Sequence, residues 1–120
     1  VTDERLERLA GICLALPEAA RNPANGHTSF QVRGKNFAWY LDDHHGDGRV
    51  ALCCKAPPGV QQELVASDPE KFYPPAYLGP RGWVAIRLDL DAGVDWDEID
   101  ELVRDSYRLI APKRLAARVD

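Results

Sequence analysis

The chain lacks most of the patterns that announce a chemistry. It has no CxxC pair, no Gly-rich phosphate loop, no tract of low complexity and no fixed repeat. Structural zinc needs thiolates and imidazoles spaced to close a tetrahedron, so the missing CxxC pairs argue against such a site. Arg33-Gly34-Lys35 carries a lysine beside a glycine but has none of the strand, loop and helix context of a P-loop. No apolar run approaches about 20 residues, so no membrane-spanning helix is expected. The first residues enter a charged amphipathic segment without the apolar core of an export signal, which suggests a cytoplasmic protein. The three cysteines are odd in number, and adjacent Cys53 and Cys54 fall on a predicted strand where they face opposite ways. A disulfide framework is therefore not expected. Cys13, among Leu6, Leu9, Ile12 and Leu16, reads as a small buried thiol.

What is present is ordinary for a globular chain: 45% hydrophobic and 28% charged residues over 120 positions. That length suits one domain over residues 1–120, burying roughly 65% of the unfolded surface. The net charge of −4 conceals an uneven distribution. Residues 89–105 hold eight acids and one base, residues 21–87 eight bases and six acids, and residues 106–119 four bases and no acid. Two surfaces of opposite sign are implied.

Periodicity places the elements. Thr2 can cap a helix with Asp3 and Glu4 in its first turn, ended by Pro17. Thr28 to Val32 and Lys35 to Leu41 alternate as strands around an Arg33-Gly34 hairpin turn, and Arg49 to Lys55 alternates again. Pro57-Pro58-Gly59 opens a short helix ending near Ser67. A fourth strand over Lys71 to Tyr77 is weakened by Pro74-Pro75 and belongs at an edge. Trp83 to Leu90 is the fifth strand. The capping box Asp95-x-x-Glu98 then starts a helix to Pro112, followed by a short helical turn within Lys113 to Val119. The order α-βββ-α-ββ-α predicts a two-layer α+β domain: a mainly antiparallel five-stranded sheet with helices on one face and a short extra C-terminal helix.

Three segments carry a family resemblance: Phe30-x-Val-x-Gly-Lys-x-Phe-Ala-Trp39, Tyr77-Leu-Gly-Pro-Arg-Gly-Trp-Val84, and Trp96-Asp-Glu-Ile followed by Ser106-Tyr-x-Leu-Ile-Ala-Pro-Lys113. With them the chain resembles the MmcQ/YjbR-like family of small bacterial proteins over nearly its whole length. The resemblance implies a compact fold similar to bacterial frataxin and secretion chaperones. It implies no established catalytic reaction, and a double-wing DNA-binding role proposed for the family.

Strict alternation from the strand patterns sends Phe30, Val32, Phe37, Trp39, Leu41, Val50, Leu52, Cys54, Val84, Ile86 and Leu88 inward. The opposite face then carries Gln31, Arg33, Ala38, Tyr40, Arg49, Ala51, Cys53, Lys55, Trp83, Ala85, Arg87 and Asp89. Bases neutralise phosphates and flat rings stack on nucleobases, so Arg33, Lys35, Tyr40, Arg49, Lys55, Arg81, Trp83 and Arg87 form the expected nucleic-acid surface. The tips at Arg33-Gly34-Lys35 and Pro80-Arg81-Gly82 would flank it as wings. An ordinary solvated sheet face carries a similar composition, and no base-reading motif such as a helix-turn-helix is recognisable.

Other clusters point elsewhere and fall short. Asp42-Asp-His-His-Gly-Asp-Gly48 gathers carboxylates and imidazoles, but an EF-hand register starting at Asp43 puts Cys54 where a bidentate Glu must stand. His44 or His45 could meet a transition metal, although a polar turn accounts for the composition better. Cys53 beside Arg49, Lys55 and Arg87 could have a lowered pKa, yet spacing supplies no base and no orienting group for a nucleophile. The reading is therefore a non-enzymatic binding protein, without metal or cofactor, monomeric or weakly dimeric, that binds DNA weakly. The alternative is a protein-interaction or chaperone-like module using the open sheet or the acidic helix 95–105.

Overall fold

A computed structural model of the chain describes residues 3–24, 27–43 and 46–119. Helix α1 spans Glu4–Leu14, and its amino end is capped by Asp3, whose carboxylate accepts from the Arg5 backbone N–H at 2.9 Å. The cap thus stands one residue beyond the expected Thr2, which lies outside the described residues. Strands β1 (Ala19–Ala24), β2 (His27–Val32), β3 (Lys35–Asp42) and β4 (Val50–Lys55) follow, then helix α2 (Val60–Ser67), β5 (Phe72–Tyr73) and β6 (Trp83–Arg87). Helices α3 (Trp96–Ile110) and α4 (Lys113–Ala116) complete the chain. No helix among the described residues is long and apolar enough to cross a membrane.

The fold is α+β with one antiparallel sheet, ordered β1-β2-β3-β4-β6-β5. The sheet has six strands where five are expected. The addition is β1, Ala-Ala-Arg-Asn-Pro-Ala, which has no alternation and contains Pro23. A proline survives in a strand at the sheet edge, where no further neighbour needs its missing N–H. The expected strand over Lys71 to Tyr77 shrinks to the two residues of β5 at the other edge, before Pro74-Pro75. The β2–β3 turn has Arg33 at φ 51° and Gly34 at φ 78°, the pair of positive values that matches a two-residue hairpin to the strand twist.

One irregularity changes which side chains face inward. Phe30 pairs with Ala38 but Gln31 pairs with Asn36, so Phe37 is an extra residue, a β-bulge in β3. Beyond an inserted residue the alternation inverts. Phe37 and Tyr40 therefore both enter the main core, while Trp39 and Leu41 turn to the opposite face, where Leu41 joins Cys53 and Trp83 in a second apolar cluster with Trp39 packed against it. This reverses the inward assignment of Trp39 and Leu41 and the outward assignment of Tyr40. Phe30, Val32, Leu52, Cys54, Val84, Ile86 and Leu88 are buried in the main core as their alternation requires.

Helices α1 and α3 cover that core. The α3 cap is Asp95, whose carboxylate accepts from the Glu98 backbone N–H at 3.2 Å. Ile99, Leu102, Val103 and Tyr107 project from α3 into the core. Tyr107 meets Phe37 edge-to-face at 5.3 Å, and its hydroxyl donates to the Pro17 carbonyl at 2.6 Å. Buried Ser106 donates to the Phe37 carbonyl at 2.6 Å and accepts from the Lys55 backbone N–H at 3.0 Å. One hydroxyl thus ties the carboxyl-terminal half of α3 to β3 beside the hairpin and to the end of β4.

Candidate functional site

The eight residues expected to form a basic aromatic face do not share a face. Tyr40 is 3% exposed and its hydroxyl donates to the Asp3 carboxylate beneath α1. Trp83 has the expected outward parity but is only 7% exposed, packed with Leu41, Cys53 and Leu78. Arg49 lies over the Tyr73 ring at 4.4 Å, and Arg87 pairs with Asp89 at 3.0 Å. Both of these arginines sit at the strand ends that also carry Asp42 and Asp89. Burial, with Cys54 adding a smaller push, drives the Cys53 thiol well above its ordinary value. This reverses the lowering that neighbouring bases would cause, and Cys54 is likewise pushed up to about 12 by burial.

The remaining four converge instead at one end of the sheet. The register sets Val32 against Lys35 and Lys55 against Trp83, while Ala56 donates to the Gly82 carbonyl at 3.1 Å. The two turns expected as wings therefore stand at the same end as Lys55. The carboxyl end of α3 arrives there through Ser106, bringing α4 with Lys113 and Arg114, and then Arg118. Glu18 marks the convergence. Its carboxyl is held below its ordinary value first by the hydrogen bond from Arg33, at 2.6 Å, and further by the charges of Arg33, Arg114 and Arg118. Among the described residues, Lys35, Lys55, Arg81, Lys113, Arg114 and Arg118 make no ion pair. Glu63 of α2 is an acid on the neighbouring helix. The bases of residues 106–119 are visible as a basic tail in the sequence, but linear spacing does not say which strand end they join.

The outer sheet face is occupied differently. The segment Pro74–Leu78 lies across it and leaves a cavity of about 150 Å³ lined by His27, Trp39, Leu41, Cys53 and residues 75–78. Buried Gln61 anchors the far side of this strap, donating to the carbonyls of Gly79, at 2.8 Å, and Trp83. Gly79 packs tightly under the strap, since a Cβ there would meet Pro74 Cβ at 3.1 Å and Pro74 would have to give by a few tenths of an ångström. His44 and His45 of the Asp42–Gly48 loop lie outside the described residues. Among the described residues no group of three or more His, Cys, Asp or Glu side chains could hold a metal ion.

The architecture defines a small α+β domain whose distinctive parts are two turns at one sheet end and a proline-braced strap. The YjbR family model matches residues 14–109, and the chain belongs to the YjbR family. The crystal structure of Deinococcus radiodurans protein DR2400, with its DUF419 domain, is similar to it. The two are 25% identical with a TM-score of 0.70, over 87% of this chain and 76% of that one. No curated protein matches the chain.

Proposed function

We propose that this protein is a non-enzymatic binding protein that contacts DNA weakly through the basic end of its sheet. The observation that carries the reading is the convergence of Arg33, Lys35, Lys55 and Arg81 with the bases of α4 at one set of strand ends. Bases at two projecting turns can reach phosphates on a duplex without reading base edges, so the contact is insensitive to sequence. A net charge of −4 does not oppose this. The eight residues of β3 separate the basic end from the acidic one by about 26 Å, against a Debye length of about 10 Å at 0.1 M salt. Each end therefore presents its own field.

The test is a titration against duplex and single-stranded DNA at several salt concentrations. Affinity should fall with salt by about 0.9 logarithmic units per logarithmic unit for each phosphate neutralised. Lys35→Glu and Arg81→Glu should each weaken binding on all sequences alike and reduce that slope by about 1. Arg87→Glu, at the other end, and Arg104→Glu, on α3, should do little. A flat salt response, or equal losses in all four variants, would overturn the proposal.

A further inference from the structure

The outer-face cavity has a size, a lining and a brace that together specify a ligand. A pocket of about 150 Å³ lined mostly by apolar side chains, even when open to solvent on one side, has room for a benzene-sized ring. Here the walls are Trp39, Leu41, Pro75, Leu78 and the Cys53 thiol, with His27 and Tyr77 as the polar residues of the lining. The cavity is held open by a strap that cannot settle onto the sheet freely. Gly79 N–H donates to the Pro75 carbonyl at 2.8 Å and Leu78 N–H to the Ala76 carbonyl at 2.7 Å, while Gln61 fixes the Gly79 carbonyl. Tyr77 is held at φ 66°, a left-handed conformation unfavourable for a residue with a Cβ, and its side chain is 81% exposed beside the cavity. Strain of this kind persists where surrounding structure imposes it, and it collects at ligand-holding segments.

We propose that this cavity binds a small uncharged molecule bearing one apolar ring, inserted between strap and sheet. Among the described residues, none that lines it carries a carboxylate, ammonium or guanidinium group, so an ionised ligand would lose hydration without gaining a charged partner there. A nucleobase has the same difficulty at its polar edge, which separates this site from the DNA contact at the basic end.

Toluene is the probe, added to the intact ¹⁵N-labelled chain while the indole N–H signals of its three tryptophans are followed. The Trp39 signal should shift saturably, with a dissociation constant on the order of 10⁻³ to 10⁻⁴ M for a ligand of this size. Trp96, on the helical side, should not move. Ala76 lines the cavity but is itself exposed, so Ala76→Phe can fill the mouth without disturbing the core. That variant should bind toluene at least about tenfold more weakly, a loss of about 1.4 kcal/mol or more. It should leave the salt-dependent DNA titration unchanged, so failure of either proposal is visible separately. No saturable Trp39 shift, unchanged toluene binding in Ala76→Phe, or adenosine binding at the same site as tightly as toluene would each overturn the assignment. So would binding of a phenylalanine-containing peptide where toluene does not bind.

Discussion

Tyr40 and Asp3 form a contact between the middle of the sheet and the first residue before α1. Burial alone raises the Asp3 carboxyl, but hydrogen bonds from Tyr40 and the Arg5 N–H outweigh it, so the carboxyl lies below its ordinary value. Burial, then the Asp3 hydrogen bond and charge, pushes Tyr40 upward. A lowered carboxyl contributes stability above its unfolded pKa, and this is lost as pH falls through the folded value. A raised phenol contributes below its unfolded pKa, and this is lost as pH rises through the folded value. The pair is therefore fully stabilising between about pH 4 and pH 10. Tyr40→Phe should cost about 1 kcal/mol at neutral pH. Urea unfolding across the pH range should show its acid and alkaline declines shallower than in the parent protein; unchanged limbs would contradict the coupling. Trp83 makes a different case. Its indole is 7% exposed, so Trp83→Ala should destabilise by about 3 kcal/mol. Single-strand affinity, corrected for the unfolded fraction, should be unchanged, because a buried indole offers no stacking surface.

At the level of elements, local signals were legible wherever the determining contacts lie within one turn. The Asp95 cap, the Arg33-Gly34 hairpin and the proline-limited helices depend on residues two to four positions apart, and each stands where its residue types indicate. Asp95→Ala should cost about 1 kcal/mol through the lost cap, read as a lowered denaturation midpoint at constant slope. β1 was not legible, because Ala-Ala-Arg-Asn-Pro-Ala is a strand only through pairing with β2. The bulge at Phe37 was not legible either, since an inserted residue leaves no mark in composition and shows only as a parity that fails. Ser106 joins three elements at once. Ser106→Ala strands the Phe37 carbonyl and the Lys55 N–H in a buried seam, and should cost about 2 kcal/mol. A loss no larger than that of an exposed serine would mean that water replaces the hydroxyl.

Over the whole molecule, charge is arranged along the strands rather than across the sheet. One end carries Arg33, Lys35, Lys55, Arg81 and the bases of α4, and the other carries Asp42, Asp89 and the acidic start of α3. The α3 dipole runs opposite to this side-chain polarity, with acids at its positive amino end and Arg108 in its last turn, so the helix stabilises the charges it spans. A chain of net charge −4 with two such ends should be retained at neutral pH and low salt on both anion and cation exchangers. The double variant Lys35→Glu, Arg81→Glu should lose retention on the cation exchanger alone. Elution from both columns together would show that the charges are mixed rather than separated.

The sequence by itself determined most of the elements, the Arg33-Gly34 hairpin, the Asp95 cap, the burial of Cys13, and the presence of both a basic and an acidic population. Each follows from backbone preference or from apolar spacing over a few residues. The tertiary structure alone decided that Tyr40 faces the core and Trp39 the outer face, because a single bulge inverts every side chain after it. It alone brought Arg81, Lys55 and the β2–β3 turn to one end, since strand register joins residues far apart in the chain. The cavity likewise exists only once Gln61 and Gly79 hold the Pro74–Leu78 strap across the sheet. Its walls come from four separate segments that no spacing connects.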